Sequence, residues 1–374
     1  MRTRALLSVL GAAAVLLLVG AQSALAGQDG RQGAAVFVQT NELGGNRIAV
    51  FDRGADGQLT QVGLYPTGGL GGAALPGTES DHLASQGSLA YDAQHQLLIA
   101  VNAGSDTIST FRVHGDQLEL TGVLGSGGQF PASVAVHDRL VYVVNAGGAG
   151  VVEGFRIAGH RLVSIPGSAR SLGLANTDPP NFLTSPGQVG FSPDGSELLV
   201  TTKASTSSID VFAVGPDGRL SAAPVANPSA TPVPFAFTFG AGGRLVAGEA
   251  GASSVTTYAL AADGSLSDAK SAGDGQGALC WIQRVGDVYF VSNTASNDLS
   301  SFAVGPDGQP SLLQAVAATT NAGPIDLASS GGYLYAETGL AGTVDEFQVG
   351  PNGTLTPIGS VTGLPPGLEG IAAS

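Results

Sequence analysis

Residues 279–316 read LCWIQRVGDVYFVSNTASNDLSSFAVGPDGQPSLLQAV. Four short extended runs stand out: Leu279–Arg284, Val288–Asn293, Asp298–Val304 and Ser311–Val316. The first two are rich in apolar residues, as in strands covered on both faces. The third alternates partly with a period of two, the mark of a half-buried strand. Pro306-Asp307-Gly308 separates the third run from the fourth, and an Asp-Gly pair supplies the positive φ that a tight hairpin needs. The segment therefore reads as four antiparallel strands with a polar outer edge.

Working outward, the same plan recurs. The aromatic at the end of the third strand appears as Phe51, Phe111, Phe155, Phe212, Tyr258, Phe302 and Phe347, at spacings of 60, 44, 57, 46, 44 and 45 residues. The turn behind it recurs as Asp56-Gly57, Asp217-Gly218, Asp263-Gly264 and Asn352-Gly353. A repeat of ~40–50 residues with four short strands is the signature of a β-propeller blade. No helical periodicity is present after the N-terminal segment. The expected fold is all-β: a single seven-bladed β-propeller over residues 35–374. Ala35–Leu64 holds three strands with no first strand before them, whereas Gly367–Ser374 looks like a first strand with nothing after it. Pairing the two closes the ring and hides the edges that an open array would expose.

The N-terminus has a different character. Arg2 and Arg4 precede an apolar run from Ala5 to Gly20, and Ala24-Leu25-Ala26 follows. This is the layout of a secretory signal peptide over residues 1–26, with 27–34 as a short linker. The apolar run is short for a spanning helix, which typically needs ~20 residues. Without it the chain has 13 Lys and Arg against 29 Asp and Glu, a net charge of −16. Such a chain repels nucleic-acid phosphates and anionic membrane surfaces. We expect a secreted monomer with a small-molecule ligand or an extracellular partner. The sole cysteine, Cys280, excludes an internal disulfide, and its setting Ala-Leu-Cys-Trp-Ile reads as buried strand.

Two spacings are long, and the extra residues fall at Pro66–Gln86 and Ser164–Pro186. Both link an outer strand to the next first strand, so both emerge on one face, which points to a binding face. The ends of the second strands meet there, bearing Asn41, Glu42, Asn102, Asn145, Lys203, Glu249, Asn293 and Glu337. Entering first strands add Gln86, Gln188, Asp326 and Glu369. Together they predict a polar ring around the channel mouth. In it Glu249 or Glu337 would activate water, Lys203 and the asparagines would orient a carbonyl, and Asn102, Asn145, Gln188, Asn293 and Asp326 would contact ligand. Asn at strand ends also satisfies turn backbone, so each has a structural reading too. His95, His114, His137 and His160 fall at hairpin turns of the opposite face. His82, in Glu79-Ser80-Asp81-His82, lies in the first long loop and is a candidate ligand contact. No His or Cys spacing typical of metals, no phosphate loop and no nucleophile elbow is present, so no cofactor is expected and a divalent cation has no motif behind it.

The segment Leu97-Leu98-Ile99-Ala100-Val101-Asn102-Ala103-Gly104-Ser105-Asp106-Thr107-Ile108-Ser109-Thr110-Phe111 resembles the propeller lactonase family, which includes 6-phosphogluconolactonases and carboxymuconate cyclising enzymes. Phe191-Ser192-Pro193-Asp194-Gly195 and the Phe-x-Val-x-x-x-Gly hairpins at Phe212 and Phe302 are similar too. The resemblance spans about 35–374 and implies a lactonase or cyclase. Family enzymes carry Pro-Arg-His or Pro-Cys-His at certain first-strand entries and Asn-Glu after certain second strands. Here the entries read Ser85-Gln86-Gly87-Ser88 and Ser185-Pro186-Gly187-Gln188, and Lys203-Ala204 replaces Asn-Glu. Gln188 cannot take up a proton as an imidazole would. Two functions stay open: a divergent lactonase or cyclase, and a non-catalytic binding or scaffold propeller.

Overall fold

The computed structural model describes residues 34–75 and 79–374; the expected signal peptide lies outside the described residues. The described chain forms seven antiparallel sheets in a closed circle, with three short 3-10 turns as its helical content. The 279–316 stretch forms one sheet from Leu279–Val285, Val288–Asn293, Asp298–Val304 and Pro310–Thr319. The sequence plan therefore holds strand by strand, with the outer strand longer than its apolar run. The hairpin before that outer strand turns on Gly308, at φ +84°.

The closure is as expected. Ile371–Ala373 is the innermost strand of the first blade and pairs antiparallel with Ala35–Gln39, in the register Val36–Ala373, Phe37–Ala372 and Val38–Ile371. Backbone bonds extend the ladder at both ends, from Ser374 N–H to the Ala35 carbonyl (2.9 Å) and from Glu369 N–H to the Gln39 carbonyl (3.1 Å). The two chain ends thus form one sheet.

The core lies between blades. Among the described residues there are seven apolar clusters, and each of the seven repeating aromatics sits in a different one. All seven are buried. The repeat is therefore a packing rule: each third strand sends one ring into the seam with its neighbour, where burying a large side chain stabilises by roughly 1.5–3 kcal/mol. The second long connection is less irregular than its sequence suggests. Arg170–Ser171 returns to pair with Val151–Ala158 beyond Arg161–Ser164.

Candidate functional site

The two long loops meet over one face. Leu75 N–H donates to the Pro180 carbonyl and Phe182 N–H to the Leu75 carbonyl, both at 2.9 Å, which makes a parallel bridge between the loops. Beneath them is a cavity of about 400 Å³, within the usual range for small-molecule sites. Its walls come from the loops (Asp81, Phe182) and from the fourth, fifth and sixth blades (Lys203, Phe235, Cys280, Trp281). Phe235 and Trp281 meet in a tilted contact, 4.7 Å between centroids and 59° between planes.

Lys203 pins this assembly. Its side chain is 1% exposed, and Nζ donates to the Ala84 carbonyl (2.6 Å), the Phe182 carbonyl (2.7 Å) and Ser185 Oγ (2.9 Å). It also lies over the Phe182 and Phe235 rings, at 5.3 and 5.1 Å. Burial pulls its pKa down to about 8, with Asp81, Cys280 and Glu369 opposing. An ammonium has three protons, and all three are occupied by one loop or the other. Lys203 therefore clamps the loops, and the sequence expectation that it orients a carbonyl is corrected on this geometry.

Asp81 is the carboxylate of the cavity wall. Oδ1 accepts the Ala84 N–H (2.6 Å) in a local turn, and burial raises its pKa to about 6. Its neighbour is Glu369 from the closing segment, whose Oε2 accepts the Leu83 N–H. The two carboxyls are within hydrogen-bonding reach, and the oxygens with no other partner are Asp81 Oδ2 and Glu369 Oε1. Burial drives the Glu369 pKa well above the usual range, and the Asp81 charge adds to it, which favours the protonated form of Glu369. Behind this pair, Asp326 accepts from Gly87 N–H (3.2 Å) and Leu327 N–H (2.8 Å), and burial raises its pKa to about 7. Glu337 accepts from Gly370 N–H (2.9 Å), and burial followed by the Asp326 charge raises its pKa well above normal.

The propeller axis is closed below the cavity. Gln86, at the entry of the second blade, crosses to the inner strand of the sixth, its Nε2 donating to the Ile282 carbonyl and its Oε1 accepting the Ile282 N–H, both at 3.0 Å. Gln188 Oε1 accepts the Phe237 N–H (2.6 Å). Of the polar ring expected at the channel mouth, Gln86 is thus bonded across the axis and Gln188 to the adjacent blade.

Solved structures match this arrangement over nearly the whole chain. Pseudomonas aeruginosa periplasmic gluconolactonase PpgL aligns with a TM-score of 0.69 at 18% identity, covering 91% of this chain and 98% of that one. A Bacteroides uniformis protein with a provisional 6-phosphogluconolactonase assignment aligns at 0.68 and 19%, covering 92% and 100%. A Lactobacillus plantarum protein aligns at 0.69 and 18%, covering 91% and 99%. No family model matches the chain, and no curated protein is detectably similar in sequence. The chain shares the seven-bladed β-propeller fold of these structures.

On this propeller frame the other sequence candidates separate by register. Asn102, Asn145, Glu249 and Asn293 are each the last paired residue of a second strand. Their side chains bond within their own blade and, for Asn102, Asn145 and Glu249, also to the segment arriving from the preceding blade. Asn102 Nδ2 donates to Thr107 Oγ1 (3.1 Å) and Ser109 Oγ (2.8 Å), Asn293 Nδ2 to Asp298 Oδ1 and Ser300 Oγ (both 2.8 Å), and Asn145 Nδ2 to the Ser126 and Val151 carbonyls (3.2 and 3.3 Å). Glu249 accepts from four hydroxyls: Ser229, Thr231, Thr256 and Tyr258, the last at 2.6 Å. A carboxylate so occupied is a structural anchor, which corrects its expected role as base. Glu337 lies one residue earlier in register, paired with Val344, and Lys203 one residue past Thr202, whose N–H bonds Ser208. One step flips a strand residue to the other face, so Glu337 and Lys203 differ in direction from those four. Asn41 anchors the first long loop through Gly72, and Glu42 pairs with Arg47 at the surface. His82 is half-buried beside Gly367 and is absent from the cavity wall. The wall residue that sequence reasoning did not select is Asp81, adjacent to His82; its signal was its place in the first enlarged loop.

Proposed function

We propose that the protein is a lactonase-type hydrolase with Asp81 as general base. The observation that carries this is Asp81 on the wall of a cavity bordered by both enlarged loops, with the Glu369 carboxyl beside it. Asp81 takes a proton from a water in the cavity. The resulting hydroxide attacks the lactone carbonyl, the bond from that carbon to the ring oxygen breaks, and the proton passes to the departing oxygen to give the open hydroxy acid. A base titrating near the operating pH is effective in such a transfer. The Lys203 charge favours the ionised form of Asp81, and the proton on Glu369 keeps the second carboxyl neutral. The fold shared with PpgL supports a lactone as substrate, and that protein's periplasmic location supports export of this one through the N-terminal signal.

The test is ring opening by purified protein, followed as acid release across a lactone panel, with Asp81→Asn in parallel. Turnover undiminished in that variant removes the mechanism. A second reading has the same cavity as a non-catalytic binding site. It is favoured by the full occupancy of Lys203 Nζ and by the closed axis. Saturable binding with no turnover on any lactone would establish it instead.

A further inference from the structure

We infer that the cavity selects an uncharged, apolar-substituted ring compound with a single polar function, and discriminates against sugar acids and their phosphates. This rests on the reading of the cavity as the ligand site. The wall contains Phe182, Val233, Phe235, Cys280 and Trp281 with few polar groups among them. Three of those polar groups are already bonded to protein. Lys203 Nζ has its three acceptors, Trp281 Nε1 donates to the Ser85 carbonyl (2.9 Å), and Thr294 Oγ1 donates to the Pro324 carbonyl (2.8 Å). Lys203 is the one cation of this wall, so an anionic ligand meets the Asp81 carboxylate with no free positive group beside it. A phosphate site needs charge-assisted donors. A polyol would leave several hydroxyls against aromatic rings without partners, a cost that disfavours its burial. An alkyl- or aryl-substituted lactone has the complementary character, with its ring carbons on Phe235 and Trp281 and its carbonyl at the Asp81 end.

Trp281 is the sole tryptophan of the chain, so its emission reports occupancy without any need for turnover. The titration uses δ-decalactone and the non-hydrolysable ring ether 2-pentyltetrahydropyran, against glucono-δ-lactone and 6-phosphogluconate. The expected result is a saturable change in Trp281 emission with both apolar probes, at concentrations at least tenfold below those for either sugar acid. Ala250→Phe, which fills the wall, should weaken the apolar probes at least tenfold. If that variant does not fold, Phe182→Ser serves in its place. Equal or tighter binding of either sugar compound, or no response to the apolar probes, overturns the inference. Binding of the ring ether with no hydrolysis of any lactone supports it while removing the hydrolase reading. Turnover confined to glucono-δ-lactone does the opposite.

Discussion

Glu369, five residues from the C-terminus, lies within hydrogen-bonding reach of Asp81 in the first long loop, although 288 positions separate them in the chain. The segment that seals the ring therefore also supplies half of the carboxyl pair at the cavity. Closure and site are one structural event here, and a chain with an open ring would have no pair.

Deleting residues 367–374 removes the innermost strand of the first blade together with the buried side chains Leu368 and Ile371. Losing two such side chains alone costs about 3–6 kcal/mol, and the unpaired edge of Ala35–Gln39 adds to that. A thermal melt should show a large drop in Tm or loss of a single cooperative transition. An unchanged melt would refute the closure as a source of stability.

Asp81 must be ionised to accept a proton, so kcat/KM should rise with pH through about 6 and then level off. Asp81→Asn should lose at least a hundredfold in kcat/KM with little change in far-UV circular dichroism. A rate profile flat between pH 5 and 7 would exclude Asp81 as the base.

Asp326 binds its proton more tightly in the folded chain, where its pKa is about 7, than at its ordinary value of 3.8. Between those two values the folded state holds more protons than the unfolded one, so stability is greatest at the acid end and declines as pH rises through 7. The change is on the order of 4 kcal/mol for this group. Urea denaturation at pH 4 and pH 8 should show the wild type weaker at pH 8, and Asp326→Asn should flatten the difference.

Gln86→Leu keeps the bulk at the axis but leaves the Ile282 N–H and carbonyl without partners. An unsatisfied buried group costs about 1–3 kcal/mol, so the urea midpoint should fall measurably. A midpoint equal to wild type would mean that water replaces the side chain there.

Glu249→Gln removes a carboxylate that serves four hydroxyls. We expect a loss of about 1–3 kcal/mol in stability with kcat/KM within twofold of wild type. A collapse in turnover without a stability change would return Glu249 to the list of bases.

The architecture was legible in the linear sequence because propeller topology is local. Successive strands are neighbours, the outer hairpin of five blades announces itself with Asp-Gly or Asn-Gly, and the ring from Phe51 to Phe347 marks every seam. Even the closure could be read, since Ala35–Leu64 lacks a strand and Gly367–Ser374 has one to spare. The site was decided elsewhere. Whether Glu249 or Lys203 faces inward depends on a single step of register, which strand ends in the sequence do not reveal to that accuracy. Asp81 stands in a loop without periodicity, and its partner Glu369 reaches it only when the ring is shut. The raised pKa values of Asp81, Glu369, Asp326 and Glu337 come from burial, which is a property of the assembled fold.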